Sequence, residues 1–321
     1  MSSTIPFVTG ASLPPGFGWK QAVGAIAQGH HRPRAQIADQ FLNKGADAFV
    51  NRATWIDGFG IGAKSFTVFP GNAEQKRPSV QGAMLVFDDQ TGAPLAVVDS
   101  GLVTYWKTAA DSVYGASLLA RPNSKRLLIA GTGIVADSLI DAYSTQFPGL
   151  ERVMIWGRNI EKSRALASHH TGRAFAVEPV VDLEIAAHEA DIISTATMSR
   201  QPILKGGWVE PGTHVDLIGA FKSDMREADD TLLRRAQVFV DSFETTLDHI
   251  GELLIPLREG TIARADLRGD LYDLTQRRVG RNDRNAITLF KNGGGAHLDL
   301  MTAKALFDWC ERTGCKLNDT T

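Results

Sequence analysis

Arg126-Leu127-Leu128-Ile129-Ala130-Gly131-Thr132-Gly133-Ile134-Val135-Ala136 decides how the centre of this chain is read. A short apolar run, then Gly-x-Gly-x-x-Ala, then a helix-compatible segment from Asp137 to Tyr143, predicts strand, tight turn and helix. Each small residue has its own reason. Gly131 permits the turn, Gly133 lets backbone amides approach a pyrophosphate, and Ala136 lets the helix pack close to the strand. The diphosphate then sits on the helix N-terminus, where free N–H groups and the helix dipole favour an anion. Thr132, Ile134 and Val135 complete this expected loop. A glycine turn alone need not bind anything, so the next strand carries weight.

That strand is Arg152-Val153-Met154-Ile155-Trp156, ending at Gly157-Arg158-Asn159. In a dinucleotide fold this end meets the adenosine ribose, where a carboxylate selects NAD and an arginine accommodates a 2′-phosphate. The carboxylate is absent here, and Arg158 is backed by Lys162 and Arg164. The alternative is a solvated helix start that happens to be basic. We read NADP(H) as the preferred cofactor, with NAD(H) possible.

The 321 residues allow two domains or one large one. Lys and Arg number 34 against 36 Asp and Glu, without the basic block that marks a nucleic-acid partner. No apolar run approaches the roughly eighteen residues of a membrane span, and the start lacks the pattern of a signal peptide. Cys310 and Cys315 have no matching metal-ligand pairs and are expected as thiols. A cytoplasmic protein without a metal is the expectation.

Before residue 100 the chain shows a helical stretch, Trp19 to Gln28, then apolar runs at 48–50, 60–68, 82–87 and 94–99. Asp88-Asp89-Gln90-Thr91-Gly92 reads as a hairpin turn, which implies an antiparallel sheet. A helix from Thr104 to Leu119 and a linker at 121–124 follow. From Arg126 strands and helices alternate, as in a parallel doubly wound sheet, with further strands at 174–177, 190–196, 214–218 and 237–241. An amphipathic helix spans 299–313. The expected fold is α/β: a Rossmann-type sheet domain (121–296) inserted in a mixed α+β substrate-binding and dimerisation domain (1–120, completed by 297–321).

With these segments placed, the chain resembles the ornithine cyclodeaminase/mu-crystallin family over nearly its whole length. The matching residues are Gly62-Ala63-Lys64 with Phe69-Pro70-Gly71-Asn72, Thr91-Gly92-Ala93-Pro94-Leu95-Ala96, Thr108-Ala109-Ala110, and Gly131-Thr132-Gly133. Others are Ala190-Asp191-Ile192-Ile193, Pro211-Gly212-Thr213-His214 with Ile218-Gly219-Ala220, and Leu289-Phe290-Lys291-Asn292-Gly293-Gly294. The resemblance implies a homodimer with nicotinamide bound between domains. The family holds cyclodeaminases, alanine dehydrogenases, ketimine reductases and a hormone-binding crystallin, so membership leaves the reaction open.

The departures narrow it. Similar cyclodeaminases carry an Asp where this chain has Phe221, and a phenyl ring can neither move a proton nor stabilise an iminium. Asp224 is the nearby acid that could replace it. The stretch 219–230 is similar instead to bacterial reductases of Δ1-pyrroline-2-carboxylate and Δ1-piperideine-2-carboxylate. By the same resemblance Lys64 is the catalytic lysine, binding the carboxylate or delivering a proton. Arg34, Arg52 and Lys107 are expected to clamp the substrate carboxylate, Lys107 standing where the family has Arg and Arg52 compensating. Ser79, Gln81, Asn292 and Gly293 complete the expected substrate pocket. Thr108, Thr195, Ala196, Thr197, Ile218, Gly219, Ala220 and Phe221 join the glycine loop around the cofactor, while His214 and His297 are read as structural. The expected activity is NADPH-dependent reduction of cyclic ketimines to L-proline or L-pipecolate. Alternatives are an alanine-type dehydrogenase, an ornithine cyclodeaminase, and a crystallin-like binding protein.

Overall fold

The structure is a computed structural model, and residues 5–314 are described. The chain divides into two compact units, 1–107 with 294–321, and 108–293. The division falls inside a helix rather than at its end near residue 120. That helix is continuous, and its residues up to Lys107 group with the first unit.

In the first unit β1 (Phe7–Val8) and α1 (Trp19–His30) precede β2 (Gln36–Lys44), β3 (Asp47–Ile56), β4 (Gly60–Val68), β5 (Val80–Phe87) and β6 (Pro94–Asp99). The sheet order is β1-β6-β5-β4-β3-β2, antiparallel except where β1 joins β6. Asp88 N–H donates to Ala93 O and Gly92 has φ +69°, so the expected hairpin turn forms with glycine in the left-handed region. The sequence reading missed β2. It is an edge strand of mixed, mostly exposed residues, which leaves almost no apolar period to detect.

The helix α2 (Ser100–Leu119) starts four residues before the expected Thr104, because the Asp99 carboxylate accepts the Leu102 N–H (2.7 Å). The closing helix α10 (Ala296–Thr313) covers one face of the sheet. Two glycines let it approach. A Cβ on Gly29 would lie 2.3 Å from Met301, and one on Gly62 2.5 Å from Met84 and 3.2 Å from Leu300. Cys310 on this helix is buried, and Cys315 lies outside the described residues.

The second unit runs β7 (Arg126–Ala130), α3 (Ile134–Gln146), β8 (Arg152–Trp156), α4 (Ile160–His169), β9 (Ala176–Val180), α5 (Leu183–Glu189) and β10 (Ile192–Thr195). It continues with β11 (His214–Leu217), α6 (Asp230–Arg235), β12 (Ala236–Val240), α7 (Phe243–Thr246), α8 (Gly251–Arg258), β13 (Leu267–Asp270), α9 (Leu271–Thr275) and β14 (Ile287–Lys291). All eight strands are parallel, in the order β13-β12-β14-β11-β10-β7-β8-β9. This is the Rossmann-type doubly wound sheet expected from residue 126 onward. Its core of Leu128, Met154, Ile193, Val215, Leu217 and Leu289 is fully buried.

Two differences have local causes. The third strand lies at Ala176–Val180, not 174–177; it contains Pro179, tolerated because the strand is at the sheet edge. β14 was not read as a strand, yet it inserts between β12 and β11, an arrangement set by long-range pairing. Among the described residues no helix is long and apolar enough to cross a membrane, and no group of three or more His, Cys, Asp or Glu is placed to hold a metal.

Candidate active site

Strand alternation explains where Lys64 points. On β4, Gly60, Gly62 and Lys64 are buried toward one face while their neighbours are half-buried. Across the sheet, Asp39 pairs with Arg52, Arg52 with Lys64, and Lys64 with Met84, a row of residues on one face. Because α10 packs closely over Gly62, its first turn reaches this row. Lys64 Nζ donates to Asp299 Oδ1 (3.1 Å) and to Thr104 Oγ1 (2.7 Å). Lys107 Nζ lies 3.7 Å from the same Asp299 oxygen and donates to Gly294 O (3.3 Å). Arg52 Nη1 donates to that carbonyl as well (2.5 Å).

One buried carboxylate therefore stands among three cations, a surplus of positive charge at a desolvated place. Burial alone would raise the Asp299 carboxyl; Lys64, Lys107 and Arg52 outweigh it and hold it below the usual range. Burial lowers the Lys64 ammonium, Asp299 pulls it back up, and Lys107 pushes it down again. The result is an ammonium that gives up a proton more readily than a solvent-exposed lysine. Such a group can donate a proton and attract a carboxylate. Asp299 was missed in the sequence. Its only signal was an acid in the first turn of the last helix, where the helix dipole favours it.

The other expected substrate residues are not all gathered here. Arg52 is committed to Asp39 through Nε (3.0 Å) and Nη2 (2.7 Å), so it lines the row as a held cation. Arg34 is exposed, in the segment between α1 and β2. Gln81 pairs with Thr67, so alternation turns it to the sheet face opposite Lys64; its side chain donates to Pro78 O (3.3 Å). Ser79 lies two residues further from the row, its carbonyl accepting from Phe69 N–H. Register, which pairs Gln81 with Thr67, is not revealed by spacing along a strand.

In the second unit the glycine loop has the expected form. Gly131 has φ +150°, and a Cβ there would sit 2.7 Å from Ala196 O. Gly133 caps α3 in extended conformation with open space around it, leaving the helix N–H groups accessible beside Thr132, Ile134 and Val135. A Cβ on Gly157 would meet Thr132 Cγ2 at 2.6 Å, so glycine is needed where β8 ends. Arg158 and Lys162 are exposed, while Asn159 caps α4 by accepting Glu161 N–H (2.9 Å). Arg164 is paired with Glu161.

Thr195, Ala196, Thr197, Ile218, Gly219, Ala220 and Phe221 lie at the carboxyl ends of β10 and β11, where parallel sheets bind ligands. Phe221 is 55% exposed. Asp224 is exposed and paired with Arg200 (3.0 Å). Asn292 donates to Thr108 O and Ser112 Oγ (3.0 Å each), and Gly293 N–H donates to Asp241 (2.8 Å), so both are engaged within the second unit. His214 is buried in β11, as a structural histidine. His297 is buried and stacked edge-on against His30 at 5.6 Å.

Residues 52–314 match the ornithine cyclodeaminase/mu-crystallin family. A Δ1-pyrroline-2-carboxylate reductase from Paracoccus denitrificans is 56% identical over 288 residues, 89% of this chain and 90% of that protein. Among solved structures, the Thermococcus litoralis Δ1-pyrroline-2-carboxylate reductase in complex with NADH and L-proline has a TM-score of 0.90 at 25% identity, covering 98% of this chain and all of that one. An archaeal alanine dehydrogenase dimer with bound NAD has a TM-score of 0.88 at 25% identity, covering 97% of each chain. The expected resemblance is thereby a finding: the chain belongs to the ornithine cyclodeaminase/mu-crystallin family.

Proposed function

We propose that this protein is a nicotinamide-dependent oxidoreductase that reduces the C=N bond of small cyclic imino acids, Δ1-pyrroline-2-carboxylate and Δ1-piperideine-2-carboxylate, to L-proline and L-pipecolate. The observation that carries this is the Lys64–Asp299–Lys107 cluster, which offers a proton donor and a surplus of positive charge in one buried place. The reductase names and bound proline of the relatives support it.

A nicotinamide dinucleotide, when bound, would supply the hydride. Lys64 then has two tasks on the substrate: to attract the carboxylate with Lys107, and to place a proton on the ring nitrogen as the imine carbon is reduced. A hydride on carbon and a proton on nitrogen account for the two hydrogens of the saturated ring. Asp299 keeps Lys64 charged until that transfer. The glycine loop and open N-terminus of α3 fit a dinucleotide diphosphate, and exposed Arg158 with Lys162 favours NADPH over NADH. A homodimer in the cytoplasm is part of the same reading.

Deamination of ornithine is disfavoured because Phe221 has no titratable group and Asp224 is occupied by Arg200. An alanine-type dehydrogenase is the second reading, favoured by the alanine dehydrogenase neighbour. The test is NADPH and NADH oxidation with each cyclic imine, and with pyruvate plus ammonia. Turnover on the imines that drops 10²-fold or more in Lys64→Ala is the expected result for a lost general acid. Turnover only with pyruvate and ammonia would refute the ketimine reading.

A further inference from the structure

Lys291, the last residue of β14, is fully buried and takes no part in the chemistry above. Its Nζ donates to the carbonyls of Leu217 (3.0 Å), Ile218 (3.5 Å) and Ala220 (2.8 Å). One ammonium thus fastens the backbone at the point where β11 gives way to its loop. Glu227, also fully buried, holds the same loop from its other side. Its carboxylate accepts Thr197 N–H (2.7 Å), Thr197 O–H (2.6 Å) and Gly219 N–H (2.6 Å). The loops that leave β10 and β11 are joined through this side chain. They touch so closely that a Cβ on Gly219 would fall 1.8 Å from Thr197 O.

The support extends outward. Buried Glu252 accepts the N–H groups of Glu227 (2.7 Å) and Ala228 (3.0 Å), fixing the chain that presents Glu227. Buried ions contribute little net stability compared with apolar packing, because desolvation offsets their attraction. Removing one partner, however, leaves the others unsatisfied. The cluster therefore has more to offer in holding a backbone shape than in stabilising the fold.

We propose that Lys291 and Glu227 are positioning residues that pre-form the 195–197 and 217–220 backbone for the nicotinamide half of the dinucleotide. This rests on the cofactor reading above. It assigns the two halves of the cofactor to separate supports: the glycine loop and Arg158 for the adenosine half, this ion cluster for the other.

The test compares Lys291→Met and Glu227→Gln with the wild type in the full chain. Glutamine keeps the shape but opposes one of its N–H groups to a backbone donor. The dissociation constant for NADPH, or for NADH if the wild type prefers it, is expected to rise about tenfold or more, the effect of losing one charge-assisted hydrogen bond. Affinity for the adenosine half alone, probed with 2′,5′-ADP or with ADP to match, is expected to stay within about twofold, a margin far below that loss. A merely structural role would weaken both probes together, and that result overturns the proposal. So does wild-type dinucleotide affinity in the folded variants, or loss of cooperative unfolding in both. A wild type that binds neither dinucleotide refutes the cofactor reading instead.

Discussion

Asp299 Oδ1 serves two ammonium groups, and the balance between them sets the chemistry of Lys64. Removing the carboxylate charge leaves Lys64 desolvated beside Lys107 and Arg52, which lowers its pKa further. In Asp299→Asn the alkaline limb of the kcat/KM profile should therefore move to lower pH, with a fall in kcat at neutral pH. An unmoved limb would show that Lys64 is not the proton donor, or that Asp299 does not hold it. At this scale the sequence pointed to Lys64 because Gly62-Ala63-Lys64 resembles the family's active-site segment. It said little of Asp299, whose partner is 235 positions away.

At the scale of the element, the end of β8 is where the proposed preference for NADPH is tested. Arg158 is exposed there and the carboxylate that would hold a ribose diol is missing. Arg158→Ala should raise the KM for NADPH about tenfold, the loss of one charged hydrogen bond. The KM for NADH should barely change. Parallel effects on both would refute 2′-phosphate recognition. Strand, turn and helix here were legible because each residue type does a local job in the motif. The face that Gln81 occupies was not legible in the same way: it depends on register with the neighbouring strand, and one position of slip reverses it.

Two properties belong to the whole molecule. The first is its response to acid. Burial holds His214 down to about 3 and His30 to about 4, and puts His297 well below the ordinary imidazole value. Each binds a proton less readily when folded, so the stability it contributes is present above pH 6.5 and lost as pH falls toward those values. Asp216, raised by burial to about 6, and Glu252, raised to about 7, act in the reverse sense, stabilising the fold at lower pH. Between pH 6.5 and 5 three histidines outnumber two carboxyls, so acidification should destabilise. His214→Asn, which retains a partner for Thr288, should remove about 1.4 kcal/mol per pH unit from that slope, one proton's worth. Denaturant titrations across the interval check it; an unchanged slope would refute neutral burial.

The second is assembly. Leu42 on β2 lies directly opposite Phe49 on β3, and they are 55% and 39% exposed. An apolar pair on an edge hairpin suits a second copy of the chain. For the proposed homodimer, Leu42→Glu with Phe49→Glu should shift sedimentation from dimer to monomer. A dimer that persists in the double variant would place the interface elsewhere.

The parallel sheet, the glycine loop and the antiparallel hairpin were determined by the sequence itself. Each rests on residue period or a short motif, and such signals act over a few neighbouring positions. The tertiary structure alone decided that β14 inserts between β12 and β11, that Asp299 meets Lys64 and Lys107, that Arg52 is held by Asp39, and that Lys291 ties down the β11 loop. All of these join segments far apart in the chain. Their geometry follows from strand register and close helix packing, which no local stretch encodes.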